Sequence, residues 1–519
     1  MTAANGLDKR AVIPRWRTWN VTRLSGELAS VTSRSDELVK TVVSVESREK
    51  ELAHRLNSFR RNRGVFEAAD VINAAFVLGV DGRPEVSIVA SYILEQENAP
   101  ESARVLANRI MKRKSSRHLH DMDSHGNVSR VEGIEALRGD IASIRKLLRV
   151  EPRNSIKWID IARCYTSLGQ DKPAEAAIRM AVSIAGDNRF IARSAARFHL
   201  HVDDPARAHS LLLNNSALQY DPWILAAEVA IADIAGKPVR NFRRASKMLE
   251  SDLSPRHVSE LASALAAIEL RSGRHKQARR LMRRALLDPN DNALAQAEWS
   301  VQHGIDVVDP EQLDLPNGFE ARALYSLRTG HFAQAVRHGR RWLVDQPFAL
   351  DAALFVTYVA PLLAEDFDSA VSAGRVGLLT NPGNAHLINN LAFSLINNGD
   401  LAEASRILTS ITGSVTPRES SILEATRGLL SYRLGEFDRG RQQYQIAIGQ
   451  LEHLGERGLA AVAAILWSRE EVRCGSRIAE QAFGAADRLS GLAGDYPDAG
   501  LLRARFGHMI EEYRERGFT

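Results

Sequence analysis

The densest set of metal-type ligands in the chain lies in the stretch KRKSSRHLHDMDSHGN, where His118, His120, Asp121, Asp123 and His125 fall within eight residues. Imidazole nitrogens and carboxylate oxygens together suit zinc or another divalent ion. The same residues suit a solvated connection, where Ser, His, Asp and Gly are common, and they supply no fourth-ligand geometry. A polar His/Asp loop without metal is therefore expected there. No Gly-rich phosphate loop, H-E-x-x-H, G-x-S-x-G or paired Cys/His zinc spacing occurs anywhere in the sequence. The expectation is a protein that is not an enzyme and carries no cofactor. Basic groups are abundant instead. In RHKQARRLMRRALL the residues Arg274, Lys276, Arg279, Arg280, Arg283 and Arg284 cluster, and HGRRW repeats the theme at Arg340 and Arg341. Such clusters can hold phosphates, but no aromatic series interleaves them for base stacking. A solvated helix face is the plainer reading.

The composition says what kind of elements position these groups. Of 519 residues, 45% are hydrophobic, 25% charged and 6% aromatic, which excludes a wholly disordered chain, a collagen-like fibre and a disulfide-stapled module. The net charge of +5 is local: residues 1–120 hold 20 Lys and Arg against 14 Asp and Glu, and the remaining residues hold 48 against 49. Lys supplies 11 and Arg 57 of the basic residues, a skew that reads as a high-GC bacterial genome. Cys164 and Cys474 are too far apart for C-x-x-C chemistry or a paired-cysteine metal site. The N-terminus has no apolar core of signal-peptide length, and nowhere do 18 uncharged apolar residues run together. A reducing cytoplasm is the expected setting.

From Leu24 to Phe59 the seam Leu24, Leu28, Val31, Ser35, Leu38, Val42, Val45, Glu49, Leu52, Leu56, Phe59 steps by four and three without a break. That is a coiled-coil heptad over residues 21–63, preceded by a basic arm over 1–20. Either the seam pairs with another helix, as in a homodimer or a docked partner, or the helix folds back on the downstream chain.

Beyond residue 63 the chain is a series of Ala- and Leu-rich helices whose punctuation has a period. In SIKWIDIARCYTSLGQDKPAEAAIRMAVSIAGDN, the residues Trp158, Ile161, Ala162, Tyr165, Gly169, Ala174, Ile178 and Ala181 form a frame. It returns as Ile388, Leu391, Ala392, Leu395, Gly399, Ala404, Leu408, Ile411, and in a poorer copy as Glu424, Arg427, Gly428, Ser431, Gly435, Gly440, Tyr444, Ala447. Small residues let paired helices approach closely, and Gly169, Gly273, Gly330, Gly399 and Gly435 occupy turns where a positive φ suits glycine. Proline closes second helices in ALLDPND, LLTNPGN and LLRVEPRN.

This frame resembles the tetratricopeptide repeat (TPR), a family with a 34-residue helical hairpin carrying the same bulky, small, aromatic, turn-Gly, Ala and Pro order. The resemblance implies an all-α, right-handed superhelical solenoid of stacked antiparallel helix pairs over residues 131–450. Degenerate pairs would occupy 64–114, the polar loop 115–130, and capping helices 451–519. It also implies that first helices line a concave groove. Arg163, Arg271, Arg328 and Arg433, with Asn389, Phe393 and Tyr432, would then face whatever the groove holds. Because Arg presents a planar fork to carboxylates and phosphates, an acidic protein partner is expected. The Lys/Asn set by which some family members clamp a terminal carboxylate is not reproduced. The expected function is a scaffold or adaptor that captures a protein segment. A nucleic-acid-associated regulator using the basic N-terminal region and Arg-rich helices is the alternative, and a regulatory subunit of a separately encoded enzyme is a third reading.

Overall fold

The computed structural model describes residues 11–19, most of 52–77, residues 83–96, scattered positions between 99 and 111, and 130–515 apart from 252, 316, 412–414 and 495. The chain divides into two compact units, Ala29–Glu132 and Met1–Leu28 with Gly133–Thr519. Among the described residues every regular element is helical.

In the smaller unit, α1 (Val65–Val77) and α2 (Pro84–Glu95) pack through Ala68, Val71, Ile72, Ala75, Val86, Val89, Ala90 and Ile93. Leu52, Leu56 and Phe59, the last positions of the heptad seam, are buried in that same cluster. The Phe59 and Tyr92 rings lie 5.2 Å apart. This end of the seam is covered by helices of its own unit. Leu24, Leu28, Val31, Leu38, Val42 and Val45 lie outside the described residues, as does the His118–His125 loop.

The larger unit opens with α3 (Arg130–Val150) and continues as helix pairs. These are α4 (Ser155–Ser167) with α5 (Asp171–Ala185), α6 (Arg189–His201) with α7 (Pro205–Leu213), α8 (Pro222–Ile234) with α9 (Phe242–Leu249), and α10 (Pro255–Arg271) with α11 (His275–Ala285). Next, α12 (Asp291–Val301) is followed only by a 3-10 turn at Pro310–Asp314, so the repeat is incomplete there. The pairs resume with α13 (Phe319–Arg328) and α14 (Phe332–Asp345), α15 (Leu350–Leu363) and α16 (Phe367–Thr380), and α17 (Ala385–Asn397) and α18 (Leu401–Thr409). Then come α19 (Pro417–Arg433) with α20 (Phe437–His453), α21 (Arg457–Arg473) with α22 (Ala479–Leu492), and a last helix, α23 (Pro497–Glu515). The fold is a TPR-like helical solenoid.

Local chemistry accounts for the punctuation. First helices begin at side-chain caps, where Asn154, Asn188, Asp221, Asn290 and Asn384 accept backbone N–H groups of the first turn. Thr416 and Glu419 form a reciprocal capping box ahead of α19. All five predicted turn glycines have positive φ, between 67° and 89°. Ala162, Ala174, Ala392 and Ala404 are fully buried where paired helices touch. In the poorer copy Gly428 and Gly440 face each other, and a Cβ on Gly440 would sit 2.6 Å from the Tyr432 ring. Glycine there lets the two helices close around two tyrosines.

First helices stack on one another, and several are buried nearly all round. In α8, Pro222 to Ala232 are buried without interruption. Second helices are amphipathic, and α11 buries only Ala278, Leu281, Met282 and Ala285. The solenoid curls until Gly169, after α4, meets the backbone carbonyl of Leu379 in α16. Phe348 joins one apolar cluster with Ile159, Ile191 and Phe198. At the far end α23 folds back on α15: Asp498 accepts from the Tyr358 hydroxyl, and Arg505 donates to the Leu362 and Leu363 carbonyls at 2.7 and 2.5 Å.

Candidate functional site

The first helices of this curl surround residues 11–19, AVIPRWRTW, a segment with almost no regular secondary structure. Val12, Pro14 and Trp16 are buried, while Ala11, Ile13 and Arg15 are half-buried. Such an alternation is what an extended chain gives when successive side chains point to opposite sides. Val12 joins the apolar cluster built by α6, α8 and α10. Trp16 has no exposed surface and lies between Phe198 and Phe348, with ring centroids 6.3 and 5.2 Å away. The Trp19 ring meets Phe190 edge-on at 5.2 Å.

Side chains of the inner helices, and that of Gln346 just past α14, reach the backbone of this segment. Asn292 Nδ2 donates to the Ile13 carbonyl at 2.8 Å, and Arg163 Nε donates to the Trp16 carbonyl at 3.1 Å. The Trp16 N–H donates to Gln346 Oε1 at 3.4 Å, and the Trp19 N–H to Asp160 Oδ1 at 3.2 Å. Glu260 holds Asn292 at 3.2 Å and is itself paired with Arg193 at 2.8 Å, so the amide that grips Ile13 is fixed from behind. A chain without its own secondary structure needs such partners for every buried backbone group. Pro14 has no N–H to satisfy.

Charge completes the seat. Arg17 makes a forked contact with Asp345, Nε–Oδ1 2.8 Å and Nη2–Oδ2 2.7 Å, and reaches Asp291 Oδ2 at 2.6 Å. Arg15 pairs with Glu320 and lies 3.5 Å from Asp291. Burial alone would raise the Asp291 carboxyl, but Arg17 and Arg15 hold it below the ordinary carboxylate range. Burial likewise opposes the charge on Arg17, and Asp291 and Asp345 outweigh it, holding the guanidinium well above its ordinary value. Asp160 differs: burial raises it, against the Trp19 N–H and Lys157. Arg197 stacks 5.1 Å from the Phe348 ring and forms no ion pair among the described residues, and burial pushes its guanidinium down to about 10.

Comparison with known proteins adds little to this geometry. No family model and no curated protein matches the chain. Among solved structures, yeast Tom70 aligns over 91% of this chain and 98% of its own at 13% identity, with a TM-score of 0.29. A monomeric IFIT1 mutant with Gppp-AAAA aligns over 94% and 100% at 13% identity, with a TM-score of 0.31. The helix pairs and the curl are read from the chain itself.

Arg163 is the predicted groove residue that touches the segment, and it also donates to the Asp345 carbonyl at 2.9 Å. The other predicted arginines have internal partners. Arg271 pairs with Asp233, Arg328 with Glu298 at 3.2 Å, and Arg433 with Glu470 at 3.3 Å. Each acid lies near the end of the adjacent inner helix, so stacking brings the two charges together as a cross-repeat ion pair. Asn389 accepts from Thr426 at 2.7 Å, and Tyr432 donates to Glu471 at 2.6 Å. Phe393 and Tyr432 belong to the apolar core of the last pairs. The charge facing Arg15 and Arg17 is also the reverse of the expected basic groove, being supplied by Asp291, Glu320 and Asp345. Sequence reasoning missed these acids together with Asn292, Gln346 and Phe348. The available signal was the alternation of Val12, Pro14 and Trp16 with Arg15 and Arg17.

Proposed function

We propose that the protein is a cytoplasmic, non-enzymatic scaffold that binds a protein partner along the inner surface of its solenoid. The observation that supports this is the seating of residues 11–19, whose backbone is gripped by side chains from helices far apart in sequence. A surface that hydrogen-bonds an irregular backbone and offers pockets to alternate side chains can take other segments in the same way. Pairing between copies of the part of the heptad seam ahead of Leu52 would add valency, and belongs to the same reading. The test is affinity capture from the native organism with wild type and with Asn292→Ala/Gln346→Ala. Partners lost from the variant support the reading, and equal recovery from both contradicts it.

A second reading is favoured by one observation. On α9 and α11, Arg243, Arg244, Lys247, Lys276, Arg279, Arg280 and Arg283 are exposed and form no ion pair among the described residues, and neither helix carries an acidic residue. A nucleic-acid backbone would suit this outer face. Retention on DNA that falls steeply with salt, and is lost in Arg279→Glu/Arg283→Glu, would support it; salt-independent behaviour would remove it.

A further inference from the structure

We propose that the inner channel recognises one class of partner segment, an extended stretch in which a Trp is flanked on both sides by Arg. Residues 11–19 are the protein's own copy of that segment, occupying the place where the partner's would dock. This rests on the scaffold reading and adds the identity of the occupant.

Three observations select the class. The first is sign. Asp291, Glu320 and Asp345 come from α12, α13 and the end of α14 and converge on two guanidiniums, with side chains only 7%, 5% and 14% exposed. Carboxylates gathered so closely in a low-dielectric site repel one another unless cations lie among them. An acidic segment or a nucleic-acid strand has the wrong charge for this seat.

The second is width. A single indole bridges Phe198 on α6 to Phe348 ahead of α15. A helix with its side chains is about 10–12 Å across, too thick for a gap that one ring fills, whereas an extended chain passes. The third is periodicity. Arg15 and Arg17 turn to the carboxylates while Trp16 turns to the apolar side, the two-residue repeat of an extended chain. Asn292, Arg163, Gln346 and Asp160 hold its backbone and do not read side chains, so the pattern of Arg and Trp carries the selectivity.

Among the described residues the buried Trp16 indole N–H has no acceptor, a cost that any Trp in this seat would share. Because the segment is tethered, it competes at an effective concentration on the order of millimolar. A free partner must overcome that competition, which gives the experiment its readout.

The experiment uses the full chain with Arg15→Ala, Trp16→Ala and Arg17→Ala together, which empties the channel without deleting residues. The probe is a fluorescein-labelled peptide of sequence AVIPRWRTW, followed by anisotropy. The expected result is binding at least tenfold tighter to the emptied chain than to wild type. Asp291→Asn/Asp345→Asn added to the emptied chain should weaken it at least tenfold, and a peptide with both Arg changed to Glu should not bind. Equal binding to emptied and wild-type chains, or indifference to the two Asp changes, would overturn the proposal.

If the emptied chain does not fold cooperatively, the peptide is made with benzoylphenylalanine in place of its Trp and irradiated with the wild-type protein. Cross-links in 190–201 or 346–350 support the proposal; cross-links elsewhere, or none, overturn it. Should the peptide fail while partner capture still depends on Asn292 and Gln346, the scaffold reading stands and the occupant assigned here is wrong.

Discussion

Arg17→Ala is the substitution whose consequence follows most directly from the structure. The guanidinium is 4% exposed and serves two carboxylates, so its removal leaves buried negative charge behind. Breaking a buried pair in this way costs about 3–5 kcal/mol. Asp291 keeps Arg15 at 3.5 Å, and Asp345 keeps the Gln346 amide at 3.1 Å, which places the cost at the lower end. If residues 11–19 undock as a unit, that cost appears in the local opening of the segment and not in the unfolding of distant helices. Native-state hydrogen exchange at the Trp16 and Trp19 amides reads it, because both N–H groups are donated to side chains of the solenoid, Gln346 and Asp160. Protection there should fall on the order of a hundredfold, the factor for about 3 kcal/mol, while amides of α21 keep theirs. Adding Trp16→Ala should then cost far less than the roughly 3–5 kcal/mol of a core Trp truncation, because an undocked segment has no contacts left to lose. Unchanged protection at residues 16 and 19, or equal loss across every helix of the larger unit, would refute this reasoning.

Other expectations concern the frame around the channel. Ala404→Leu overpacks a fully buried helix contact and should lower stability by about 1–3 kcal/mol, measured as the urea midpoint. Leu52→Asp places a carboxylate among Ala68, Val71 and Ile93, costing several kcal/mol by burial of a charge; exchange protection in α1 and α2 should drop. His199 and His201 on α6 are each pushed down to about 4, by burial first and then by Arg207 and Arg197 respectively. Between about pH 6.5 and 4 the unfolded chain therefore binds more protons than the folded one. Stability is full above that window and falls with falling pH, by about 1–2 kcal/mol per His at pH 5. A urea midpoint that does not move between pH 7.5 and 5 would contradict this.

Helix pairing was legible in the sequence because its signals are local. A turn Gly and an Ala on each face of the hairpin act within one repeat, and Gly399, Ala392 and Ala404 behave as their spacing implies. The partners of the groove arginines lie beyond such a local reading. Arg271, Arg328 and Arg433 pair with acids a repeat away, where only stacking reveals them. The seat of residues 11–19 was harder still, since Trp16 and Gln346 are 330 positions apart. No periodicity predicts how far a solenoid curls, and the curl brings Phe348 opposite Phe198. The basic N-terminal arm was visible as charge. Its meaning depended on acids contributed by three separate elements.

The central claim is that Trp16 lies inside the channel between Phe198 and Phe348, and a photo-cross-link from that position tests it most directly. Benzoylphenylalanine is introduced at position 16 of the full-length chain, the protein is irradiated, and the linked peptides are sequenced by mass spectrometry. The account predicts links to residues 190–201 and 346–350. Links confined to the outer helices α9 or α11, or no link in a chain that melts normally, would contradict it.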